Sequence, residues 1–330
     1  MASLYITEPA AKIRKSGGYF IVELGEETVQ KLPIETVEDI TVLHSVTVSS
    51  QVLTECMLQS IPITWISNYG HYYGSLWGPD AIDIEKHMMQ FQQAQDFDFS
   101  LQISKVMILA KARNQMTLLK RHHRKEMDDI VNAKIAEINM LLPKISTAHS
   151  VNQLRGFEGS VSRSYFEALG RIVPESFAFA KRSKRPPEDP FNAMLGLGYS
   201  MLFNEVLGAV MHVGLHPYIG HMHAIRRGHA ALVSDLMEEW RAPIVDSLCL
   251  MLIGKGMITP DHFHTVDHGC YLTKEGRKIL LYQYNKKLRS THQYWGEPYS
   301  YRDSIQRQCR SYASAMTNNT VPMYLSFEMY

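Results

Sequence analysis

The chain has 330 residues, of which 45% are hydrophobic and 20% are charged. This composition excludes disordered and fibrous proteins, and the length favours two domains over one. The formal net charge of +1 gives no whole-chain signature of nucleic-acid binding, so any basic surface must come from local clusters.

The cysteines and the N-terminal residues bear on the cellular compartment. The four cysteines are far apart and form no C-x-x-C pair, which argues against a structural zinc site or a disulfide framework. The first twenty residues lack the apolar stretch of a signal sequence, and no apolar run approaches the roughly 20 residues that span a bilayer. We therefore expect a soluble, cytoplasmic protein that makes no membrane contact.

The first part of the chain has the pattern of a small β domain. Short segments rich in β-branched and aromatic residues alternate with turn residues such as Gly17-Gly18, Pro33 and Pro62. These segments are LYIT, YFIVEL, DITVLH, VTVS, PITWIS and HYYGSLWG. The segment SSQVLTECMLQ has a helical pattern instead, with Ser49 or Ser50 as its N-cap. Residues 1–85 are thus predicted to form a β-sheet domain.

After Pro79 the pattern changes to long helices. Residues 96–142 carry apolar side chains at helical spacing and contain no proline or glycine. The run ends before Pro143. The sequence therefore predicts an α+β protein in which a small N-terminal β-sheet domain precedes a larger, mainly α-helical domain over residues 86–330. The segment 285–330 is assigned neither a fixed fold nor a role.

Basic residues cluster in two places after the β domain. Either cluster could contact phosphates through counterion release, and a solvated helix face and a charged loop are the alternative. One cluster lies on a predicted helix and the other in a loop: Lys111, Arg113, Lys120, Arg121, Arg124 and Lys125, then Lys181, Arg182, Lys184 and Arg185.

Two segments contain side chains that metal ions prefer. Glu158 lies between Gly156 and Gly159, which permits close approach by a backbone or a ligand. His223 precedes a helix predicted to begin near Ala230, on which Asp235 and Glu238 are neighbours on one face. A mixed set of carboxylate and imidazole donors suits Mg²⁺ or Mn²⁺. Each spacing alone is a weak signal, and packing or surface roles are the alternative.

A third segment predicts a packed helix. Asp189-Pro190 followed by Asn192 is typical of a helix start, and Gly196, Gly198 and Gly208 permit close helix packing. The leucines of this segment have the pattern of core residues, and we assign them no chemistry.

Taken in chain order, these three segments resemble one known family. They read LRGFEGSVSRSYFEALG, DPFNAMLGLGYS and GLHPYIGHMH followed by DLMEEWR. They are similar to the CRISPR-associated integrase, the DNA endonuclease subunit of the spacer-acquisition complex. In that family an "EG…YF" helix, a "DP-x-NALLS-x-GY" helix and a "GLDPYIGFLH…DLMEE-F/W-R" block recur. The resemblance is strong over about residues 150–250 and implies a small β domain before a larger helical catalytic domain.

The resemblance assigns roles to individual residues. The family's metal ligands fall on Glu158, His223 and Glu238, its acidic position beside the site on Asp235, and its active-site tyrosine on Tyr165. The implied ion is Mg²⁺ or Mn²⁺.

Three positions depart from the family pattern. His216 stands where the family usually has aspartate, His221 where it has an aromatic residue, and Gly196 where serine is common. The two histidines could alter the pH dependence or offer the ion a rival imidazole.

Arginines near these segments are candidates for contacting DNA phosphates. They are Arg163, Arg182, Arg185, Arg226, Arg227 and Arg241. For Arg241, an ion pair with Glu238 one turn earlier is an alternative.

The resemblance also implies an activity and partners. The protein would insert short DNA fragments, the new spacers, into a CRISPR array by attack of a 3′-hydroxyl on a phosphodiester, and it would also cleave DNA. Double-stranded DNA and a small ferredoxin-like CRISPR adaptation subunit are the implied partners. Two strand positions need two active sites, so a homodimer is expected. A general metal-dependent nuclease or resolvase of branched DNA, and a non-enzymatic DNA-binding scaffold, are the alternatives.

Overall fold

The computed structural model describes residues 2–43, 45–67, 72–79, 82–123, 128–183 and 186–329. The chain divides into two compact units, Met1–Asp83 and Ile84–Tyr330. The predicted domain boundary after residue 85 lies close to this division. The predicted α+β class is confirmed, because strands dominate the first unit and helices the second.

In the first unit, the described residues form two four-stranded sheets and one α-helix. One sheet has the strand order β1-β5-β7-β8 and the other the order β4-β3-β2-β6. The strands are β1 (Ala2–Ile6), β2 (Ala11–Ser16), β3 (Tyr19–Leu24), β4 (Glu27–Pro33), β5 (Val37–Leu43), β6 (Thr47–Val48), β7 (Ile63–Ile66) and β8 (Tyr72–Leu76). Their apolar faces form one core with α1 (Ser50–Leu58), which contributes Val52 and Cys56.

The sequence located most of this unit but missed two strands. Strands β2 and β4 read AKIRKS and ETVQKLP and are rich in polar residues. Strand β2 has only one buried face and β4 is mostly exposed, so neither has the apolar run of a buried strand. The predicted helix is confirmed, and Ser49 is its N-cap. The sequence also predicts a turn at Asn68–Gly70, and these residues lie outside the described part of the chain.

The second unit is mainly helical, and its described residues include two β-hairpins. Its helices are α2 (Ile84–Gln95), α3 (Phe97–His123), α4 (Asp129–Ser146), α5 (Val151–Ile172), α6 (Pro190–His212), α7 (Ala231–Met237), α8 (Ser247–Gly254), α9 (Lys274–Arg289) and α10 (Tyr301–Thr317). The hairpins pair β9 (Phe263–Val266) with β10 (Gly269–Leu272) and β11 (Thr291–Tyr294) with β12 (Glu297–Ser300). The segment 285–330, which the sequence left unassigned, thus contains a hairpin and a buried helix.

Polar caps define where the two central helices begin. The Ser150 hydroxyl accepts a hydrogen bond from Gln153 N at 3.1 Å and starts α5. Asp189 Oδ1 accepts one from Asn192 N at 2.7 Å and starts α6, as the Asp-Pro sequence predicted. Helix α6 is the one described helix long and apolar enough to cross a bilayer, but most of it is buried inside the structure, which is typical of a core helix.

The helix that carries Glu238 changes its hydrogen-bond pattern twice. Helix α7 ends at Met237, a 3-10 turn covers Glu238–Trp240, and a π-helical segment covers Arg241–Asp246 before α8 begins. Such π segments are rare and are frequently found at functional sites. The sequence predicted one helix that carries both Asp235 and Glu238, whereas the structure ends the α-helix at Met237 and places Glu238 in the 3-10 turn.

Candidate functional site

A cluster of charged side chains joins three parts of the second unit. Lys111 comes from the middle of α3, Glu158 from the first half of α5, and Glu238 from the 3-10 turn after α7. Lys111 Nζ forms ion pairs with Glu158 Oε1 and with Glu238 Oε2, the second at 2.7 Å. The Ser162 hydroxyl, one turn after Glu158, donates to Glu158 Oε1 at 2.8 Å. The two acids that the sequence singled out are therefore brought together.

His223 lies on the other side of Glu238. Its Nε2 atom is 3.9 Å from Glu238 Oε1, while its Nδ1 atom is 2.6 Å from Asp235 Oδ1. A carboxylate on Nδ1 favours the tautomer in which that atom carries the proton and leaves the lone pair on Nε2. The imidazole thus presents an acceptor nitrogen to the side of the site where Glu238 lies.

Asp235 organises the whole loop before α7. It is fully buried, and its two oxygens accept hydrogen bonds from the backbone N–H groups of His221, Met222 and His223 at 2.7 to 3.1 Å. A methyl group on Gly220 would come within 2.5 Å of Asp235 Oδ2, so glycine is needed for this close approach. Asp235 therefore positions His223 rather than facing Lys111.

Two further side chains from other helices hold the same loop. The Gln90 amide on α2 is fully buried, donates to His216 O and Ile219 O, and accepts from His216 N. Arg155 Nε, on α5 one turn before Glu158, donates to Met222 O at 2.6 Å. The backbone that carries His223 is consequently tied to the helix that carries Glu158.

Cations keep Glu238 ionised although it is buried. Burial by itself raises the pKa of Glu238, but Arg241 and Lys111 outweigh it and lower the pKa to about 2. Arg241 Nε lies 3.1 Å from Glu238 Oε1, and the guanidinium covers the Tyr199 ring at 4.6 Å. The pairing of Arg241 with Glu238, given above as the alternative to DNA contact, is the one found in the structure.

A second buried network lies behind the charged cluster. Tyr165 and Tyr199 are both buried, and their hydroxyls donate to Asp246 Oδ2 and Oδ1, each at 2.6 Å. Burial raises the pKa of Asp246 to about 6, and it raises the pKa of Tyr165 well above its ordinary value. Tyr165 is therefore placed to hold the π-helical segment that ends at Asp246, and its hydroxyl is not directed at the three candidate ligands.

The two histidines that depart from the family pattern have other partners. His221 is buried, and its ring nitrogens lie 2.8 Å from the Ser100 hydroxyl and 2.7 Å from the Tyr312 hydroxyl. Burial lowers its pKa to about 4. His216 Nδ1 accepts a hydrogen bond from Tyr218 N, and its ring packs edge-on against His87. The expectation that His221 could offer a rival imidazole is wrong, because both of its nitrogens are already engaged.

The candidate DNA-binding arginines differ in their exposure. Arg163, Arg226 and Arg227 are exposed, the last two on the loop between His223 and α7. Arg182 is partly buried and donates to Asn192 Oδ1 at 2.8 Å, so part of its guanidinium is used to hold the start of α6. Arg185 lies outside the described residues.

The sequence reasoning misplaced one residue and missed another. Lys111 was grouped with phosphate-facing residues of α3, but its side chain is only 5% exposed and points into the acidic cluster. The alternative interpretation, a solvated helix face, is also wrong for Lys111. Asp246 was not singled out at all. A charged residue within the apolar segment PIVDSLCLML is the signal that could have found it, since buried charges are nearly always paired.

Within the described part of the chain, no three His, Cys, Asp or Glu side chains lie close enough together to hold a metal ion as they stand. Glu158 and Glu238 are instead bridged by the Lys111 ammonium group. Two members of this cluster, Glu158 and Glu238, and the neighbouring His223 are the residues that the sequence named as ligands.

Comparison with known proteins decides the family. The family model described as CRISPR associated protein Cas1 matches residues 4–286. The chain belongs to the Cas1 family. A CRISPR-associated endonuclease Cas1 from Mycobacterium tuberculosis is 35% identical over 307 residues, which cover 91% of this chain and 89% of the relative. The family to which the sequence motifs pointed is therefore the correct one.

Solved structures with Cas1-like chains share the fold. A chain of a Cas6-RT-Cas1–Cas2 complex superposes with a TM-score of 0.87 at 24% identity, and the match covers 100% of this chain and 36% of that one. A casposase bound to an integration product superposes with a TM-score of 0.84 at 20% identity, covering 98% of this chain and 94% of that one. At these identities the likeness establishes the Cas1 fold of the chain.

Proposed function

We propose that this Cas1 protein is a metal-dependent DNA endonuclease and integrase that inserts short DNA fragments into a CRISPR array. The observation that carries the proposal is the convergence of Glu158, Glu238 and His223 on one cluster, with the imidazole oriented by Asp235. The names of its relatives agree with a nuclease, since they are CRISPR-associated endonucleases, and one structural neighbour is bound to an integration product.

The residues present fit a divalent cation such as Mg²⁺ or Mn²⁺. Glu238 Oε2 is buried, and no described residue forms a hydrogen bond of ordinary geometry with it, although Lys111 Nζ lies 2.7 Å away. The two carboxylates already bind one cation, the Lys111 ammonium. Carboxylate oxygens suit both ions, and the Nε2 atom of His223 favours Mn²⁺. We propose Glu158, His223 and Glu238 as the ligands.

The proposed chemistry is displacement of an oxygen at a phosphodiester. A bound divalent ion would supply positive charge for the phosphoryl oxygens and a more acidic attacking water or 3′-hydroxyl. The chain itself contributes orientation: Asp235 fixes the imidazole, and Arg241 and Ser162 hold the two carboxylates. Joining exchanges one phosphodiester for another, so no nucleotide cofactor is required.

The surface beside Glu158 supports access by a large substrate. Gly156 and Gly159 flank Glu158, and a methyl group added to either would meet nothing within 4 Å. The glycines are therefore not explained by close packing within the structure. We propose that the two glycines keep this face of α5 free of side chains, so that a DNA backbone can approach Glu158. The exposed Arg163, Arg226 and Arg227 would contact its phosphates.

The partners are proposed from the same relatives. Double-stranded DNA and a small ferredoxin-like CRISPR adaptation subunit would complete the integration machinery, in line with a structural neighbour found in a complex with Cas2. Two strand positions require two active sites, so we also propose a homodimer, acting in the cytoplasm.

The test is strand transfer of a short duplex with a free 3′-hydroxyl into a plasmid that carries a CRISPR repeat, in the presence of Mn²⁺. Wild type should yield joined products, and Glu158→Gln, His223→Ala and Glu238→Gln should each lose at least about a hundredfold in rate. Glu167→Gln is the matched control, because Glu167 lies on the same helix as Glu158 and its side chain is 45% exposed. Folding is checked by circular dichroism.

The outcomes separate the proposed activity from its rivals. Cut plasmid without joined product would favour a general nuclease or resolvase of branched DNA. Neither cutting nor joining, together with no heat of Mn²⁺ binding, would favour a DNA-binding scaffold. A folded ligand variant that joins DNA at the wild-type rate would remove that residue from the proposed site.

A further inference from the structure

Lys111 is the least expected member of the charged cluster. Its side chain is 5% exposed, and lysine is almost never buried unless it is paired. Its Nζ atom lies between two carboxylates, Glu158 on α5 and Glu238 on the turn after α7.

A surface ion pair elsewhere in the unit provides a comparison. Lys134 on α4 also bridges two acids, Glu137 at 3.0 Å and Glu167 at 2.8 Å, but both acids are more than 40% exposed. Such pairs contribute little to stability, because water competes for every charge. Glu238 is only 6% exposed and so depends on cations within the protein for its neutralisation. The two lysines have the same pairing pattern but different roles.

The position of the Lys111 ammonium also conflicts with a simple phosphate-binding role. Its charge is already balanced by two carboxylates, so little of it is available to an incoming phosphate while those contacts last. The group instead lies where the candidate ligands Glu158 and Glu238 meet, and only 3.9 Å separates Glu238 Oε1 from His223 Nε2. An ion that used both carboxylates would compete with the ammonium for the same oxygens.

We propose that Lys111 is a built-in counter-cation of the metal site. Its ammonium holds Glu158 and Glu238 together when no ion is bound, and it gives way when a divalent cation takes the two carboxylates. This inference rests on the proposed metal site and adds a positioning residue to it. The flexible four-carbon stem of lysine allows the ammonium to leave without movement of α3. The lysine thereby keeps a carboxylate pair assembled that would otherwise repel itself.

The ammonium therefore has two opposing effects: it stabilises the metal-free site, and it lowers the affinity of the site for a divalent cation. Without the ammonium, Glu158 loses its ion pair and Glu238 keeps only that with Arg241 among its two ion pairs to Lys and Arg, so the carboxylates are less well compensated and the metal-free site is less stable. Such a site also binds a divalent cation more tightly, because no competing charge must be displaced. A purely structural lysine would give the first effect without the second.

The experiment measures Mn²⁺ binding to the full-length protein by titration calorimetry in mildly alkaline buffer. Lys111→Met should bind Mn²⁺ at least about tenfold more tightly than wild type. Lys111→Arg, which keeps the charge, should bind no more tightly than wild type. Lys120→Met is the matched control on the same helix, since Lys120 is exposed, and it should bind as wild type does.

Thermal unfolding with a chelator and with added Mn²⁺ gives a second readout. Lys111→Met should melt below wild type in the chelator, and its melting temperature should rise more than that of wild type when Mn²⁺ is added. If the variant is unfolded without metal, folding at Mn²⁺ concentrations that saturate wild type would support the proposal. Failure to fold at those concentrations would overturn it, because the ion would then be unable to replace the ammonium.

The results distinguish this inference from the proposed function. If wild type binds Mn²⁺ and a folded Lys111→Met binds it equally or more weakly, the counter-cation role is overturned and the metal site stands. If neither protein binds Mn²⁺ or Mg²⁺, both the metal site and the role of Lys111 are overturned.

Discussion

At the scale of single residues, the candidate site depends on one glycine that has no chemistry of its own. Gly220 lets Asp235 reach the three backbone N–H groups that fix the loop of His223. A side chain there would meet both the Asp235 carboxylate and the backbone of Ala231. The orientation of the imidazole is thus decided three residues before His223 itself.

Gly220→Ala should lower the free energy of unfolding by about 1–3 kcal/mol, because the added methyl group overpacks a filled site. It should also reduce strand transfer, because Asp235 must shift. Gly196→Ala is the control: a methyl group there meets nothing within 4 Å, and alanine favours a helix over glycine by up to about 1 kcal/mol. Chemical denaturation measures the free energy of unfolding of both variants. Equal stability of Gly220→Ala and wild type would contradict the packing argument.

Asp246 gives a pH-dependent contribution to stability. Burial raises its folded-state pKa from the ordinary 3.8 to about 6. The unfolded state therefore loses its proton first as pH rises, and the contribution that is present below about pH 4 is lost by about pH 6. Wild type should lose about 2 kcal/mol across this range relative to Asp246→Asn, whose amide keeps partners for both tyrosine hydroxyls.

The measurement is urea denaturation of wild type and Asp246→Asn at several pH values. Taking the difference between the two proteins removes the contributions of all other groups. Asp98→Asn, an exposed position on α3, should show no such trend. A difference that stays constant between about pH 4 and pH 6 would contradict the raised pKa.

At the scale of elements, the C-terminal segment packs behind the candidate site. After α10 the chain returns past α3 and the turn that carries Glu238. Phe327 stacks on Trp240 with ring centroids 4.4 Å apart. Phe327 N and the Tyr324 hydroxyl donate to the buried carboxyl of Glu239, the neighbour of Glu238. The tail is therefore part of the support of the turn that carries Glu238.

The same tail is fastened to α3. The Asn114 amide donates to Glu239 O at 2.8 Å and to Phe327 O at 2.9 Å, and it accepts from Met329 N at 2.7 Å. Asn114 lies one turn after Lys111 on α3. One buried amide thus links the helix of Lys111, the turn of Glu238 and the end of the chain.

Phe327→Ala should lower the free energy of unfolding by about 3 kcal/mol, because it leaves a cavity beside Trp240. It should also weaken Mn²⁺-dependent strand transfer, since the turn of Glu238 loses its support. Met323→Ala, at an exposed position of the same segment, should change stability by less than about 0.5 kcal/mol. Thermal denaturation and the strand-transfer assay provide the comparison, and equal effects of the two variants would refute a supporting role of the tail.

At the scale of the whole molecule, the proposed reaction requires two copies of the chain. One copy contributes one Glu158–His223–Glu238 cluster, whereas insertion into duplex DNA joins two strands. We expect the purified protein to have twice the chain mass of 37.7 kDa in light scattering after size-exclusion chromatography. A single-chain mass at the concentrations used for strand transfer would contradict the homodimer.

Much of the architecture was predictable because its signals are local. The caps at Ser49 and Asp189, the apolar run in β3 and the unbroken helical spacing of α3 each depend on neighbours within a few residues. The polar edge strand β4 and the two late hairpins escaped prediction, since exposed strands lack the apolar pattern on which the prediction relies.

By itself, the sequence determined the family and the order of the two units. It also singled out Glu158, His223 and Glu238 as the candidate site. Only the tertiary structure decided that Lys111 joins the acids, that Tyr165 turns to Asp246, and that both nitrogens of His221 are engaged. The physical reason is distance along the chain: these partners are 47, 81, 121 and 91 residues apart. Periodicity and capping act within a few turns, so they carry no information about which buried charges will meet.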